Sequence, residues 1–182
     1  MKKIGLILIM IVSIFITGCS KTESEKMAEK YKDYTEVTLY KDTTTAKIYL
    51  SDKILINTNT AIMGVTENQE VVNGKTFDIS KKHRLSQIGI TLKDNTTVQY
   101  QLVDGEYTKD SFKNIGKVKT LTIDEKKYVY VKVNNDKKEI VYLSIPGRKD
   151  NSILLVIESF HKITGKQLKQ YAEKAIIVTT EK

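Results

Sequence analysis

Apolar and polar residues alternate in short runs over most of the chain after residue 36. A period of two is typical of β-strands that bury one face. The clearest runs cover residues 37–40, 46–50, 88–92, 97–102, 118–123, 128–133, 140–145 and 152–160. Short polar connectors join the last four runs, as consecutive antiparallel hairpins require. The second half of the chain therefore predicts an antiparallel meander.

Turn-forming residues predict further hairpins in the first half. Asn73-Gly74 stands between β-forming residues, and both tolerate the positive φ of a type I′ turn. Ser51-Asp52-Lys53 predicts another turn, with a strand following at 54–56. A short helical turn is expected around Ser111-Phe112.

Helical spacing of apolar residues appears near both ends of the domain. Met27, Tyr31 and Tyr34 predict a short helix over residues 25–34, with Ser24 as its cap. A second helix is predicted near the C-terminus, with Thr164 as its cap, because apolar residues recur there at i, i+3, i+4, i+7 and i+8. Its apolar stripe consists of Leu168, Tyr171, Ala172, Ala175 and Ile176. Such a stripe needs a surface to cover it, and the preceding strands offer one.

Together these elements predict an α+β fold. We expect an antiparallel meander sheet with a C-terminal amphipathic helix packed on one face and a short N-terminal helix. An all-β sandwich or barrel with a terminal helix is the alternative. Residues 176–180 leave room for one more strand after the helix. Because no internal repeat or Pro/Gly/Ser-rich linker interrupts residues 36–182, a single domain over 27–182 is expected.

The N-terminal residues have a different composition. Lys2 and Lys3 precede an apolar run from Ile4 to Ile16, and small residues follow it. This order is typical of a signal peptide. The run is shorter than the roughly 20 apolar residues that span a bilayer. Residues 1–18 are therefore expected to be a signal peptide, and a buried N-terminal core helix is the alternative.

The apolar run ends in Ile16-Thr17-Gly18-Cys19, which resembles the lipobox of bacterial lipoproteins. The resemblance implies cleavage before Cys19 and attachment of diacylglycerol to its thiol, with palmitate among the acyl chains. Two acyl chains give stable membrane anchoring where one gives only marginal binding. Residues 19–26 would be a lipidated polar tether, and the domain would lie on the extracytoplasmic side of the cell membrane. An inert buried cysteine is the alternative for Cys19.

Composition and charge limit the classes of partner that the chain is expected to bind. Cys19 is the only cysteine, so a disulfide framework is not expected. The net charge is +8, yet Arg84 and Arg148 are the only arginines. Proteins that read phosphates or base edges by bidentate contacts use more arginine, so nucleic-acid binding is not expected. Diffuse lysine charge favours an anionic membrane surface or envelope polymer as a partner, or simply a soluble surface.

Candidates for catalysis are few. His83 lies in a basic stretch, and alternation along a strand would put Ser159 and His161 on one side with Glu158 on the other. A cell-envelope hydrolase using His161 or His83 is therefore kept as an alternative function. No histidine pair, calcium loop or Gly-rich phosphate loop occurs in the sequence, so neither a metal nor a cofactor is expected.

Four tyrosines on predicted strands form a candidate binding surface: Tyr100, Tyr128, Tyr130 and Tyr142. Exposed together, they would offer amphipathic contact area to a peptide, glycan or protein. Alternatively, they are cross-strand pairs that complete the sheet beneath the last helix.

The order of a meander, the strand Ile153–Phe160 and a helix containing Gln167–Ala172 is similar to that of the Mog1/PsbP-like α/β sandwich, which includes small bacterial lipoproteins. The resemblance covers residues 88–178 and implies an interaction module rather than an enzyme. We therefore expect a membrane-anchored surface lipoprotein that serves as a non-catalytic binding or accessory module of the cell envelope. Its partner would be an envelope polymer or a membrane protein. A structural component of an envelope complex is a further alternative.

Overall fold

A computed structural model describes residues 21–51, 61–74, 76–135, 137–147 and 151–179 of the 182-residue chain. This part of the chain is mostly β-sheet with four helices. The helices are α1 (Glu23–Lys30), α2 (Thr76–Lys82), α3 (Lys109–Phe112) and α4 (Gly165–Ala172). The strands are β1 (Tyr34–Lys41), β2 (Thr44–Ser51), β3 (Ala61–Thr66), β4 (Val71–Asn73), β5 (Leu85–Thr91), β6 (Thr97–Asp104), β7 (Val118–Ile123), β8 (Lys126–Asn135), β9 (Lys138–Pro146), β10 (Asn151–Ser159) and β11 (Ala175–Thr179).

The strands form one mixed sheet that curls into a half-barrel. Its order is β11-β2-β1-β5-β6-β10-β9-β8-β7, with β3 and β4 attached beside β5. Neighbouring strands are antiparallel except β1 and β5, which run parallel. The prediction of a sheet-rich fold with few helices is confirmed. The parallel contact was not expected, because period-two alternation identifies strands without identifying their partners.

Several sequence-predicted strands occur where the alternation places them. Strands β5 and β6 pair as a hairpin around Asp94-Asn95, and Asn95 takes the positive φ that such a tight turn needs. Strands β7 to β10 pair consecutively and antiparallel. The predicted strand at 54–56 lies outside the described residues.

Three local predictions need correction. Asn73-Gly74 does not form a hairpin turn: β4 ends there and α2 follows, while β3 and β4 are joined through residues 67–70. Ala175 and Ile176 belong to β11 rather than to the last helix, because this β-branched segment pairs with β2. The cap of α1 is Thr22 rather than Ser24, and α1 begins at Glu23, inside the segment predicted to be a tether.

The hollow of the half-barrel holds the core. Alternate side chains of the strands are fully buried there, and Leu168 and Ala172 of α4 join them. The largest buried aliphatic side chains include Leu39, Ile48, Leu85, Ile88, Leu102, Leu143, Ile153 and Leu155.

The curl brings the β9–β10 connection against the opposite end of the sheet. A Cβ atom on Gly147 would collide with the Ile177 side chain and lie 2.7 Å from the Asn151 carbonyl oxygen. On β10, Asn151 Nδ2 donates to Thr44 Oγ1 of β2 over 3.0 Å. A residue larger than glycine at position 147 is therefore incompatible with this close approach.

Candidate binding cleft

The two end strands of the sheet, β7 and β11, do not pair with each other. Helix α4 contacts β7 and helix α1 contacts β11, so the helices lie along the gap between them. A cleft of about 380 Å³ opens here, beside the β7–β8 turn. Pockets of about 300 Å³ and upward hold small ligands, so this cleft is our candidate site.

Apolar side chains make up most of the lining, and together they are called the floor of the cleft. Side chains from α1, the β7–β8 hairpin, the end of β9 and the α4–β11 segment meet there: Met27, Ile123, Tyr128, Ile145, Pro146, Ala172, Ala175, Ile176 and Ile177. No serine, threonine, cysteine or histidine occurs among the described residues that line it. The lining thus lacks the nucleophiles used in acyl transfer and suits an apolar ligand.

The rim of the cleft is charged. Glu23, Asp124 and Glu173 supply carboxylates, and Lys30 and Lys126 supply ammonium groups. The Glu23 carboxylate pairs with Lys126 Nζ, joining α1 to the β7–β8 turn. Both side chains are more than half exposed, so the pair contributes at most about 1 kcal/mol.

Helix α1 is fixed at both ends. Thr22 Oγ1 accepts from the Glu25 amide over 3.2 Å, and the Glu25 carboxylate accepts from the Thr22 amide over 2.6 Å, which is a capping box. After α1, the Tyr31 hydroxyl donates to the Glu173 carbonyl over 3.3 Å and so ties α1 to the end of α4. Glu173 is thereby held beside the cleft.

Lys30 is influenced by its neighbours on the rim. Partial burial lowers the pKa of Lys30, but Tyr31, Glu173 and Asp124 outweigh it and raise that pKa overall. Lys30 Nζ also lies 5.1 Å from the centre of the Tyr31 ring. Lys30 therefore remains a cation whose charge is partly offset by nearby carboxylates.

The β7–β8 turn has an unusual backbone at the cleft. Asp124 and Glu125 have φ values of 46° and 67°, the left-handed region that glycine and asparagine adopt more readily than glutamate. A two-residue loop between antiparallel strands favours this conformation at both positions, so the turn geometry follows from the β7–β8 hairpin itself. The turn presents the Asp124 and Lys126 side chains to the rim.

The four candidate tyrosines do not form one exposed surface. Tyr100 is 1% exposed, and its hydroxyl donates to the Tyr171 carbonyl over 3.0 Å. Tyr128 is 9% exposed and lines the cleft. Tyr130 is half-buried against the core, whereas Tyr142 pairs with Val131 and lies on the opposite face of the sheet. The candidate surface of four tyrosines is therefore corrected: Tyr100, Tyr128 and Tyr130 pack in or against the core, and of the four only Tyr128 lines the candidate site.

The histidines lie apart from this cleft. His161 follows the end of β10 and is exposed, while Ser159 Oγ accepts from the His161 backbone amide over 3.1 Å and lies 2.9 Å from Thr96 Oγ1. Ser159 is 4% exposed, so this hydroxyl closes a turn instead of facing a substrate. His83 follows α2, and its backbone amide donates to the Ile79 carbonyl over 3.0 Å. Across the described ranges, no group of three or more His, Cys, Asp or Glu side chains could hold a metal ion.

Cys19 and the lipobox residues 16–19 lie outside the described residues, as does the signal peptide 1–18. Within the part of the chain that the structure covers, every helix is too short or too polar to cross a membrane.

Sequence reasoning missed most of the cleft. Ile123, Ile145 and Ile177 look like ordinary strand residues, and Lys126 and Glu173 look like surface charges. They come from segments about ninety or more residues from α1 and form a site only after the sheet curls. One usable signal was present: Thr22-x-x-Glu25 is a capping-box pattern that marks the start of α1.

Comparison of the chain with protein-family models, with curated proteins and with solved structures finds no match.

Proposed function

We propose that the chain is a lipoprotein of a bacterial cell membrane, anchored through Cys19 and exposed on the extracytoplasmic side, and that its domain is a non-catalytic binding module. The anchoring rests on the basic start, short apolar run and lipobox of residues 1–19. The cleft between α1, the β7–β8 turn and β11 is the observation that supports binding as the activity. A role as an accessory of an envelope polymer or a membrane protein is part of the same proposal.

The cleft supports binding over hydrolysis for a chemical reason. Its described lining combines an apolar floor with a charged rim and offers no Ser, Thr, Cys or His nucleophile. Ser159, two residues before His161, is hydrogen-bonded to Thr96 and to the His161 amide. No specific observation favours the hydrolase.

The short link to the membrane belongs to this proposal. Glu23 is the first residue of α1, and the four Cα-to-Cα steps from Cys19 to Glu23 span at most about 14 Å when extended. A lipid on Cys19 would therefore hold α1, and with it one wall of the cleft, close to the bilayer surface.

For the fold, we also propose an α+β arrangement in which α4 packs on one face of a sheet built around the antiparallel meander of β7 to β10. Leu168 of α4 is fully buried, and Tyr100 of β6 donates to the backbone of α4 at Tyr171. The relation to the Mog1/PsbP-like sandwich stays a prediction.

The anchoring is tested with Cys19→Ala in bacterial cells that express the full chain and take up labelled palmitate. We expect the variant to lose the acyl label and to accumulate as an unprocessed precursor, because no other thiol is present. Ser20→Ala is the matched control and should keep the label. Undiminished labelling of Cys19→Ala would refute the assignment.

A further inference from the structure

We propose that the cleft binds a single-chain amphiphile, with its alkyl chain on the apolar floor and a cationic amine head at the rim. This inference rests on the proposed function, in which the cleft is the ligand site, and it adds the chemical class of the ligand.

The floor accounts for the alkyl chain. Nine apolar residues line it, and three of them, Met27, Ile123 and Ile176, come from different elements. The Met27 thioether is flexible and adapts to irregular apolar groups. Each methylene transferred from water to such a surface raises affinity by about fourfold. A volume of about 380 Å³ suits one slender ligand rather than a folded element of a partner.

The rim accounts for the head group. Three carboxylates face two ammonium groups there, although the chain as a whole carries a net charge of +8. Lys126 is already paired with Glu23, and the pKa of Lys30 responds to both Glu173 and Asp124. An added ammonium would therefore meet an excess of carboxylate, whereas an added carboxylate would be repelled.

The position of the cleft accounts for the source of the ligand. With Cys19 acylated, the first turn of α1 is tethered within about 14 Å of the anchor. Glu23 and Met27 of α1 both line the cleft, so its mouth lies next to the compartment in which amphiphiles concentrate.

Photolabelling of the full chain in phosphatidylcholine vesicles tests the proposal. Two probes carry the same diazirine-bearing dodecyl chain, one ending in an amine and the other in a carboxylate. Mass spectrometry maps the labelled residues. We expect the amine probe to label the segments around Met27 and Ile176, at least fivefold more than the carboxylate probe does. Labelling elsewhere, or equal labelling by the two probes, would overturn the inference.

Two variants with matched controls separate the contributions of floor and rim. Ile176→Trp fills the cleft and should lower amine labelling at least fivefold, whereas Ile115→Trp, at a site already 45% exposed, should leave it unchanged. Glu173→Gln removes one rim charge and should lower the ratio of amine labelling to carboxylate labelling. Glu106→Gln removes a charge outside the cleft and should leave that ratio unchanged. Circular dichroism establishes that each variant is folded.

If Ile176→Trp proves unfolded, Glu173→Gln alone tests the proposal. An unchanged preference for the amine probe would then overturn the inference that the rim selects a cationic head group. Failure of the proposed membrane anchoring would give a different experimental result. A chain anchored by other means loses no acyl label in Cys19→Ala, whatever the probes do. Conversely, a chain that is acylated at Cys19 but labelled by neither probe keeps its anchoring and contradicts only the amphiphile.

Discussion

The Tyr49 hydroxyl is buried and makes no hydrogen bond of good geometry with the described residues, although the Glu36 carboxylate lies near it from the paired position on β1. Tyr49 is 2% exposed, and its ring stacks on Tyr31 with 5.4 Å between centroids. Burial, together with the neighbouring Glu36 carboxylate, raises the pKa of Tyr49 to about 12. An unsatisfied buried hydroxyl costs about 1–3 kcal/mol, so this ring contributes through packing while its oxygen opposes folding.

Removing that oxygen should therefore stabilise the domain. We expect Tyr49→Phe to raise the free energy of unfolding by about 1 kcal/mol in urea denaturation at neutral pH. Tyr100→Phe is the matched control, because the Tyr100 hydroxyl donates to the Tyr171 carbonyl over 3.0 Å. That variant should lose about 1 kcal/mol. Equal losses in the two variants would contradict the assignment of an unpaired Tyr49 hydroxyl.

Between elements, a partly buried ion pair connects the meander to the start of α4. Lys132 of β8 pairs with Glu139 of β9 and also donates to the Ile163 carbonyl. The second oxygen of Glu139 accepts from the Ile163 amide over 3.2 Å. The exposed fractions of the Lys132 and Glu139 side chains are 21% and 13%. The pair thus supplies both backbone groups of Ile163 with partners just before α4 begins.

Breaking this connection should loosen α4. Glu139→Gln is expected to lower the free energy of unfolding by about 1–2 kcal/mol, since charge-assisted hydrogen bonds are lost in a partly buried place. Amide hydrogen exchange in residues 163–172 should accelerate more than exchange in β10.

The control removes a comparable but exposed charge. Glu29 pairs with Lys21, and both side chains are more than half exposed. Glu29→Gln should change the free energy of unfolding by less than about 0.5 kcal/mol. A loss as large as that of Glu139→Gln would mean that burial does not distinguish the two pairs.

Elements with local signals were predictable, and those decided by distant partners were not. The residues that indicate the Asp94-Asn95 turn, and the alternation that indicates β9 and β10, lie within or next to those elements. Ala175-Ile176 fits a helical stripe equally well, and the segment became a strand because β2, about 130 residues earlier, offers it an edge. The cleft depends on that same pairing, because β11 forms one of its walls. No sequence motif indicates that these distant segments come together in the fold.

For the whole molecule, tyrosine burial predicts alkaline unfolding. Burial raises the pKa of five described tyrosines above the usual value of about 10: Tyr31, Tyr49, Tyr100, Tyr128 and Tyr171. The fold thus favours their neutral form, whereas the unfolded chain ionises near pH 10. The stability they contribute is complete below about pH 10 and is lost as the pH rises towards 12 and beyond.

Lys174 has the opposite effect on the pH dependence of the free energy of unfolding, in a lower pH range. Burial lowers the pKa of Lys174, so below its usual value near 10.4 the unfolded chain binds the proton more strongly than the fold does. Its contribution to stability therefore increases as the pH rises through that window.

We expect the free energy of unfolding to fall above about pH 10, with tyrosinate absorbance and loss of the β-sheet circular dichroism signal rising together. Denaturant titrations at a series of pH values measure this. Complete tyrosinate formation near pH 10 with an unchanged circular dichroism spectrum would show that the hydroxyls are accessible, contrary to their burial.

The pairing of β11 with β2 also bears on the order of folding. Strands β1 and β2 can pair as soon as both have been synthesised, because only Asp42 and Thr43 separate them. The outer edge of β2 then stays unpaired until residues 175–179 have been synthesised, about 130 residues later. An unpaired strand edge is a template for association with other chains, and contacts between distant parts of a chain form slowly. A nascent chain of this protein therefore carries an open, aggregation-prone edge from its first hairpin until β11 closes it.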